Sequence, residues 1–480
     1  MARRRTIEGL TARQRSLAFA TIMLAFTIDV VDSTIVNTAV PVIQTDLGVG
    51  SNAIQWIVAS YFMSFAVLLI AGGRLGDLFG YRRMFLIGVT SFTAASMACG
   101  LAATAEQLVL ARLLQGATAA IMAPQVMALV QVMYAPVERV GRLAAFGVVG
   151  GLAAILGPVL GGLLIAIDVA GLGWRSIFLI NAPIGVAAVI AGWFLLPSGR
   201  SPHPLRIDAG GTLLLFLTLT TLLIPLIQGR EAGWPWWCFG LIGVSVVAGG
   251  VFWRHQLRRA ARAGSALIAP ELFAERCFSL GLATTLLFAT ASTGFLLTFS
   301  LTLQHGLGYT PLSAALLHVP FGLGVMAGIS QIGRKMLPLH GKRVPMAGAA
   351  IMAPACVAVA LAVGAGWPPA MLSALLLVAG IGMGTLAGPL PPITLARVDR
   401  GHAGVAGAMH KAVQQVGGAF GGAVIGTLYF QTTGDTALPD LFQRAFTPAS
   451  LAVGALLAGA AVALSQLPSP IFVAKPTPET

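Results

Sequence analysis

The chain has 480 residues, of which 57% are hydrophobic and only 9% are charged. Soluble domains carry roughly 25% charged residues, so this composition excludes an ordinary soluble enzyme and indicates that lipid covers much of the surface. The formal net charge of +13 would suit a nucleic-acid-binding protein, but the placement of the basic residues along the chain favours a membrane protein instead.

Apolar segments recur along the whole chain, separated by short polar or Pro/Gly-rich stretches. An α-helix needs about 20 mostly apolar residues to cross a bilayer, and fourteen segments are predicted to do so. An even number of crossings puts both chain ends on one side of the membrane. The predicted segments are 17–41, 53–73, 84–103, 106–130, 142–167, 176–196, 209–229, 236–253, 278–301, 312–333, 345–364, 370–394, 403–429 and 448–467.

The basic residues indicate which side this is. With both termini in the cytoplasm, 24 of the 29 basic residues fall in cytoplasmic segments, and such loops are enriched in Lys and Arg in membrane proteins. The run RHQLRRAAR at 254–262 is interpreted as a stripe on the lipid surface. We therefore expect a multi-pass protein of the bacterial inner (cytoplasmic) membrane, with membrane lipids and no nucleic acid among its partners.

The two halves of the chain repeat weakly. GPVLGG at 157–162 and GGAFGG at 417–422 lie eight segments apart. Parallel repeats of this kind are typical of secondary transporters. We predict an all-α integral membrane protein with a six-helix bundle at 1–200, two linker helices and a basic loop at 201–276, and a second six-helix bundle at 277–480.

The first apolar segment carries two acids, Asp29 and Asp32, which share a helix face because they are three residues apart. Two ionised carboxylates so close together inside a bilayer are costly, so we expect at least one of them to exchange a proton. Such an acid can couple proton movement to the transport of a cation. The alternatives are a carboxylate that caps backbone groups, or a static ion pair with Arg112.

The stretch GRLGDLFGYRR at 73–83 is predicted to form a cytoplasmic gate. Its glycines allow tight turns and close helix approach, its acid can accept hydrogen bonds from the free N–H groups of another helix, and its last two arginines supply counter-charge. In that order, these residues are Gly73, Gly76 and Gly80, then Asp77, then Arg82 and Arg83.

The stretch GLAAILGPVLGG at 151–162 combines a proline with small residues. Pro158 removes a backbone hydrogen bond and is expected to bend the helix. Gly157, Gly161 and Gly162 allow a facing helix to approach closely. Ordinary small-residue packing, which is common in membranes, is the alternative interpretation.

These stretches resemble the major facilitator superfamily. GRLGDLFGYRR is similar to its signature loop, with Tyr81 where the family usually has a basic residue. DSTIVNTAVP at 32–41, GLAAILGPVLGG at 151–162 and WRSIFLINAPIG at 174–185 resemble motifs of its fourteen-span drug:proton antiporters, which include quaternary-ammonium efflux pumps. In that branch the proline- and glycine-containing face of helix 5 meets the other bundle and is thought to seal the outward leak.

An arginine inside a span costs roughly 2.5–3.5 kcal/mol, so Arg112 either reaches the interface or has a function. The R-x-x-Q-G pattern that begins at Arg112 resembles a family motif in which the arginine is linked to proton transfer. His410, Lys411 and Gln414 are candidate cavity residues, with interfacial packing as the alternative, because the family pattern does not transfer cleanly there. His318 is interpreted as a packing residue.

We therefore expect a proton-driven antiporter that exports small hydrophobic, cationic drugs or dyes by alternating access and acts as a monomer. No enzyme activity, metal site or cofactor is expected, since the chain has no G-x-x-x-x-G-K-[ST] motif and its four cysteines are isolated. The alternatives are a dedicated exporter of one endogenous metabolite or antibiotic, and a transport-inactive scaffold or sensor. The excess of Arg over Lys and the high Ala and Gly content indicate a GC-rich genome, which is compatible with an antibiotic-producing soil bacterium.

Overall fold

The computed structural model describes residues 11–134, 136–200, 207–229, 232–263, 266–268, 270–398, 403–433, 438–469 and 471. Within those residues all regular structure is helical. The longer helices, numbered in chain order, are α1 (Ala12–Leu47), α2 (Ser51–Phe79), α3 (Tyr81–Gly100), α4 (Ala105–Met133), α5 (Pro136–Ile167), α6 (Asn181–Leu195), α7 (Ala209–Gln228), α8 (Trp236–Ala263), α9 (Arg276–Leu301), α10 (Pro311–Ala327), α11 (Arg343–Gly364), α12 (Pro369–Ala387), α13 (Ala403–Phe420) and α14 (Pro439–Ser465).

Short helical pieces extend several of these helices. Ser176–Leu179 precedes α6, and Arg334–His340, Leu390–Thr394 and Gly426–Thr433 follow α10, α12 and α13. Each of the predicted apolar segments overlaps one helix. In the described part of the chain, 11 helices are long and apolar enough to cross a membrane. Helices α3, α5 and α13 are not among those 11, so fourteen crossings remain a prediction.

The termini of α1 follow from local sequence. Thr11 forms a capping box with Gln14: the Thr11 hydroxyl accepts from the Gln14 N–H, and the Gln14 side chain accepts from the Thr11 N–H. The helix ends at Gly48, whose φ of +60° is a left-handed conformation that favours glycine.

The helices pack as two groups. One comprises α1–α6, in which α2 and α3 pack on α4 while α5 and α6 pack on α1. The other comprises α9–α14, in which α9 packs on α13 and α14, and α12 packs on α10 and α11. The groups meet along two pairs, α2 with α13 and α5 with α10, and α7 pairs with α8 beside α2. The division of the chain into two bundles and a linker at residues 200 and 276 stays a prediction.

A buried acid joins the two linker helices. Asp208 caps α7 and is fully buried. Its oxygens form hydrogen bonds of 2.9 Å with His255 Nε2, Gln256 Nε2 and the Gly211 N–H, and Arg259 Nε lies 3.5 Å away. Burial works to raise the pKa of Asp208, but the hydrogen bonds outweigh it and hold the pKa below its ordinary value.

The linker is also docked on the first bundle. The Ile268 N–H donates to Gln256 at 3.2 Å, which holds the segment after α8 against that helix. Arg74 of α2 donates to the Ala266 carbonyl of the same segment. The lipid-surface interpretation of 254–262 does not fit His255, Gln256 and Arg259, which contact Asp208. For the exposed arginines of this stripe, Arg254, Arg258 and Arg262, it stays a prediction.

We predict that Asp208→Asn lowers the thermal unfolding midpoint of the purified protein. The amide supplies one acceptor oxygen instead of two, and a buried donor left without a partner costs about 1–3 kcal/mol. Because the folded chain lowers the pKa of Asp208, its stabilisation is complete above the ordinary value of 3.8 and is lost as the pH falls through the lowered value.

The control is Asp440→Asn, since Asp440 is an exposed acid in the first turn of α14. Intrinsic fluorescence during heating at neutral pH measures both midpoints. Equal midpoints for the two variants would show that the Asp208 cluster does not hold the linker helices together.

Candidate functional site

A cavity of about 230 Å³ lies between the two bundles. Helices α1, α2, α9 and α13 supply most of its wall. Its only charged lining residues, within the described part of the chain, are Asp29 and Lys411. The other polar side chains in the wall are Ser33, Thr34, Asn37, Tyr61, Ser292, Thr293, Gln414 and Gln415, and the rings of Phe62, Phe65 and Phe288 also line it.

Asp29 faces this cavity and, among the described residues, accepts one hydrogen bond. The Tyr61 hydroxyl donates to Asp29 Oδ1 at 2.9 Å. Lys411 lies close enough to attract Asp29 electrostatically, yet the described residues include no ion pair between them. The Lys411 amine lies 5.9 Å from the centre of the Phe65 ring. Asp29 is therefore accessible from the cavity and has room to change partners.

Asp32 is in a different environment. It is fully buried and is not part of the cavity wall. Arg112 Nη1 donates to Asp32 Oδ2 at 2.7 Å, while Gln115 Nε2 and Asn181 Nδ2 donate to Oδ1 at 2.7 and 3.1 Å. The two acids, predicted as one site, are thus separated. Asp32 has the static ion pair that the sequence left open as an alternative.

Arg112 is enclosed as fully as its partner. Only 1% of Arg112 is exposed, so the interpretation in which its side chain reaches the membrane interface is wrong. Its guanidinium lies 4.2 Å from the centre of the Tyr61 ring, which is within cation–π range. Tyr61 therefore contacts both the cavity acid and the buried ion pair, since its hydroxyl binds Asp29 and its ring covers Arg112.

The predicted gate loop turns at Gly80, whose φ of +95° suits glycine. The Tyr81 N–H donates to the Gly199 carbonyl at 2.9 Å, and the Tyr81 hydroxyl donates to Asp77 at 2.8 Å. The tyrosine that stands where the family usually has a basic residue thus binds the acid of its own motif. The predicted bond from another helix's N–H groups to Asp77 is absent from the hydrogen bonds of the described residues.

The other residues of this loop divide in their contacts. A Cβ on Gly76 would lie 2.0 Å from Gln125 Oε1, whereas one on Gly73 would meet nothing closer than Pro124 at 3.6 Å. Close helix approach therefore depends on Gly76 rather than Gly73.

The arginines at the end of the loop differ as well. Arg82 donates to the Trp193 carbonyl and lies 6.0 Å from the centre of the Trp193 ring. Arg83 is exposed.

The glycines of α5 face two different helices. A Cβ on Gly157 would lie 1.9 Å from Thr34 Oγ1, and one on Gly161 would lie 2.9 Å from Ile35, so both pack on α1 of the same bundle. A Cβ on Gly162 would lie 2.6 Å from Ala315 of α10. The expected contact with the other bundle thus belongs to Gly162. Pro158 is buried within α5.

Only two of the three candidate cavity residues in the second half of the chain line the cavity. Lys411 and Gln414 line the cavity, but His410 does not, and its Nδ1 lies 3.4 Å from Thr285 Oγ1. The cavity interpretation of His410 is therefore replaced by packing on α9. His318 binds the Ala314 carbonyl through Nδ1 at 2.8 Å and is buried, as expected of a packing residue.

Three residues of the site were missed by sequence reasoning. Gln115 and Asn181 lie inside stretches that resemble family motifs, so their polar side chains in apolar helices were an available signal. Asn181 also donates to Ser96 Oγ at 2.9 Å. Tyr61 carried no such signal, because its role depends on which helix faces α1.

Comparisons with known proteins agree with this architecture. Residues 22–422 match the family model of the Major Facilitator Superfamily. The chain is 41% identical over 429 residues to the probable actinorhodin transporter of Streptomyces coelicolor, an alignment covering 88% of this chain and 74% of that protein. It is 31% identical over 429 residues to the multidrug resistance protein Stp of Mycobacterium tuberculosis, covering 86% and 77%.

Among solved structures, a bacterial homologue of the human lysosomal transporter Spinster in its inward-facing, unoccupied conformation matches with a TM-score of 0.68. The match covers 95% of this chain and 97% of that one at 16% identity, and is a likeness of fold. The helical bundles and the extent of the family match lead to one conclusion. This chain belongs to the Major Facilitator Superfamily.

Proposed function

We propose that this chain exports small aromatic drug-like or antibiotic molecules across the bacterial cytoplasmic membrane in exchange for protons. The proposal depends chiefly on one observation: the cavity between the bundles has Asp29 in its wall, while Asp32 is enclosed behind it. The relatives named above, a probable antibiotic transporter and a multidrug resistance protein, support the same class of cargo. Both termini are proposed to be cytoplasmic.

Alternating access is proposed to proceed by rocking of the two bundles. On the side opposite the termini, Gln304 donates to the Thr38 carbonyl at 2.9 Å and Gln55 donates to Thr427 at 3.2 Å, and both bonds join the bundles. On the termini side, Ile70 of α2 belongs to an apolar cluster with residues of α13. The cavity is smaller than the roughly 300–1,000 Å³ of most ligand sites, so it must open at one end to admit cargo.

Asp29 is the proposed proton-exchanging group. Cargo that enters from the cytoplasm binds while Asp29 is ionised, and a proton that arrives from outside neutralises Asp29 and releases the cargo. Release of that proton to the cytoplasm resets the site. The membrane potential supplies about 2.3 kcal/mol per elementary charge per 100 mV to the net charge moved.

Asp32 and Arg112 have a different proposed role from the one expected. Each neutralises the other inside the first bundle, and the pair positions α1 against α4 while Asp29 titrates. We also propose that the chain belongs to the fourteen-span branch. Residues 73–83, which join α2 to α3 and contact α6 through Arg82, are proposed to form the cytoplasmic gate.

We predict that Asp29→Asn reduces proton-dependent transport to the level of vesicles that lack the protein, because an amide cannot exchange a proton. Inverted membrane vesicles that generate a proton gradient, together with a panel of fluorescent compounds, measure this. The control is Glu106→Gln, an exposed acid at the start of α4. Unchanged transport by Asp29→Asn would refute the role of Asp29.

We predict that Asp32→Asn mainly reduces the amount of folded protein. Breaking a buried ion pair costs about 3–5 kcal/mol, because it leaves one charge without a partner. The double variant Asp32→Asn with Arg112→Gln removes both charges and should recover most of the folded protein, as measured by size-exclusion chromatography. If Asp32→Asn folds normally yet loses proton coupling, Asp32 is the proton site instead.

Export of a single endogenous antibiotic is the second candidate function. The 41% identity to a probable actinorhodin transporter favours it over broad multidrug export. The same vesicle panel separates the two, since a response to one chemical type indicates a dedicated exporter and responses to many indicate a multidrug pump. If the vesicles move none of the compounds in response to the proton gradient, both functions are contradicted.

A further inference from the structure

The charges in the cavity wall balance each other. Asp29 is the single carboxylate and Lys411 the single ammonium among the described lining residues, and the Asp32–Arg112 pair behind them is neutral as well. The cavity therefore does not present the isolated negative charge that selects a cation. This differs from the sequence-based expectation of cationic cargo, in which Lys411 was a candidate cavity residue but was not assigned to Asp29.

We propose that the cavity selects uncharged aromatic compounds that carry both a hydroxyl donor and a carbonyl acceptor, and that Lys411 excludes permanent cations. This inference rests on the proposed export function and adds the cargo class to it. The cargo hydroxyl donates to ionised Asp29, and the Lys411 ammonium donates to the cargo carbonyl.

The exclusion of cations follows from the position of Lys411. A permanent cation needs Asp29 as its counter-ion, but Lys411 on the opposite helix already interacts with that carboxylate. The cation would have to displace the ammonium or remain beside it in a site of low dielectric constant, where repulsion between like charges is strong. An uncharged donor–acceptor molecule meets neither obstacle.

Unused polar groups in the wall fit the same cargo. Within the part of the chain that the structure describes, the Ser292 hydroxyl is buried and has no hydrogen-bond partner. The Gln414 and Gln415 side chains line the same cavity. Buried polar groups are normally paired, so these groups are suited to bind hydroxyl and carbonyl groups of a bound molecule.

The apolar part of the wall is aromatic. Phe62, Phe65 and Phe288 line the cavity together with the Tyr61 ring, and the rings of Tyr61 and Phe65 lie edge to face with centres 5.9 Å apart. Aromatic walls bury large flat surfaces and pack on rings in offset or edge-to-face geometry. The wall thus favours planar ring systems over flexible chains.

This cargo class is compatible with exchange for protons. When Asp29 is ionised, it accepts the cargo hydroxyl. When Asp29 takes up a proton, that acceptor is lost and the cargo is released. Proton and cargo therefore compete for one carboxylate although the cargo has no charge.

The test compares two probes on the purified full-length protein by equilibrium dialysis. They are 6-hydroxyflavone, an uncharged planar compound whose hydroxyl is too far from its carbonyl to bond with it, and tetraphenylphosphonium, a permanent cation. Wild type should bind 6-hydroxyflavone at least about tenfold more tightly, a ratio that corresponds to about 1.4 kcal/mol. Lys411→Gln should weaken 6-hydroxyflavone binding and strengthen tetraphenylphosphonium binding, each by about tenfold or more.

Lys411→Arg is the matched control, because it keeps the positive charge and should keep the wild-type order of affinities. Flavone, which lacks the hydroxyl group, should bind more weakly than 6-hydroxyflavone to wild type. Equal wild-type affinity for the two probes overturns the inference even if no variant folds. So does an unchanged affinity order in folded Lys411→Gln.

Failure of the proposed function has a separate signature. If inverted vesicles move no compound in response to a proton gradient, export itself is refuted whatever the affinities. If vesicles export tetraphenylphosphonium as well as 6-hydroxyflavone, export stands and the cargo class is wrong.

Discussion

The Asp32–Arg112 ion pair is the interaction on which the rest of the structure depends. A charge inside a membrane protein needs a partner, and here the two charges are neutralised within 2.7 Å and held by Gln115 and Asn181. The pair connects α1 to α4, and Asn181 adds α6. Because Asp32 and Arg112 neutralise each other, no net charge lies behind the part of α1 that exposes Asp29 to the cavity.

Tyr61 contacts both the cavity acid and the buried ion pair. Its ring covers the Arg112 guanidinium and its hydroxyl binds Asp29. A change in the charge of Asp29 therefore acts on a side chain that also contacts Arg112. The second bundle contributes Lys411 from α13, so the charged groups of the cavity come from both bundles. A movement of α13 relative to α1 would therefore change the electrostatic environment of Asp29 directly, and this is the link we propose between rocking of the bundles and proton exchange.

Much of the fold was predictable from the sequence, because apolar length and the basic-residue bias are local properties. The site was less so. Spacing predicted that Asp29 and Asp32 share one helix face, but three residues of separation leave Asp29 facing the cavity and Asp32 facing Arg112 of α4. Lys411 was visible as a charge in a span, yet its partner could not be assigned, because nothing local to α13 specifies which residue of α1 it faces. His410, one residue earlier, points elsewhere for the same reason.

The most direct test of this account measures the protons released when cargo binds. The purified protein in weakly buffered solution is mixed with 6-hydroxyflavone while a pH indicator records proton release across a range of starting pH. The account predicts release from wild type at pH values where Asp29 is partly protonated, and none from Asp29→Asn. Equal release from the two proteins would contradict it, because the exchanging proton would then reside on another group.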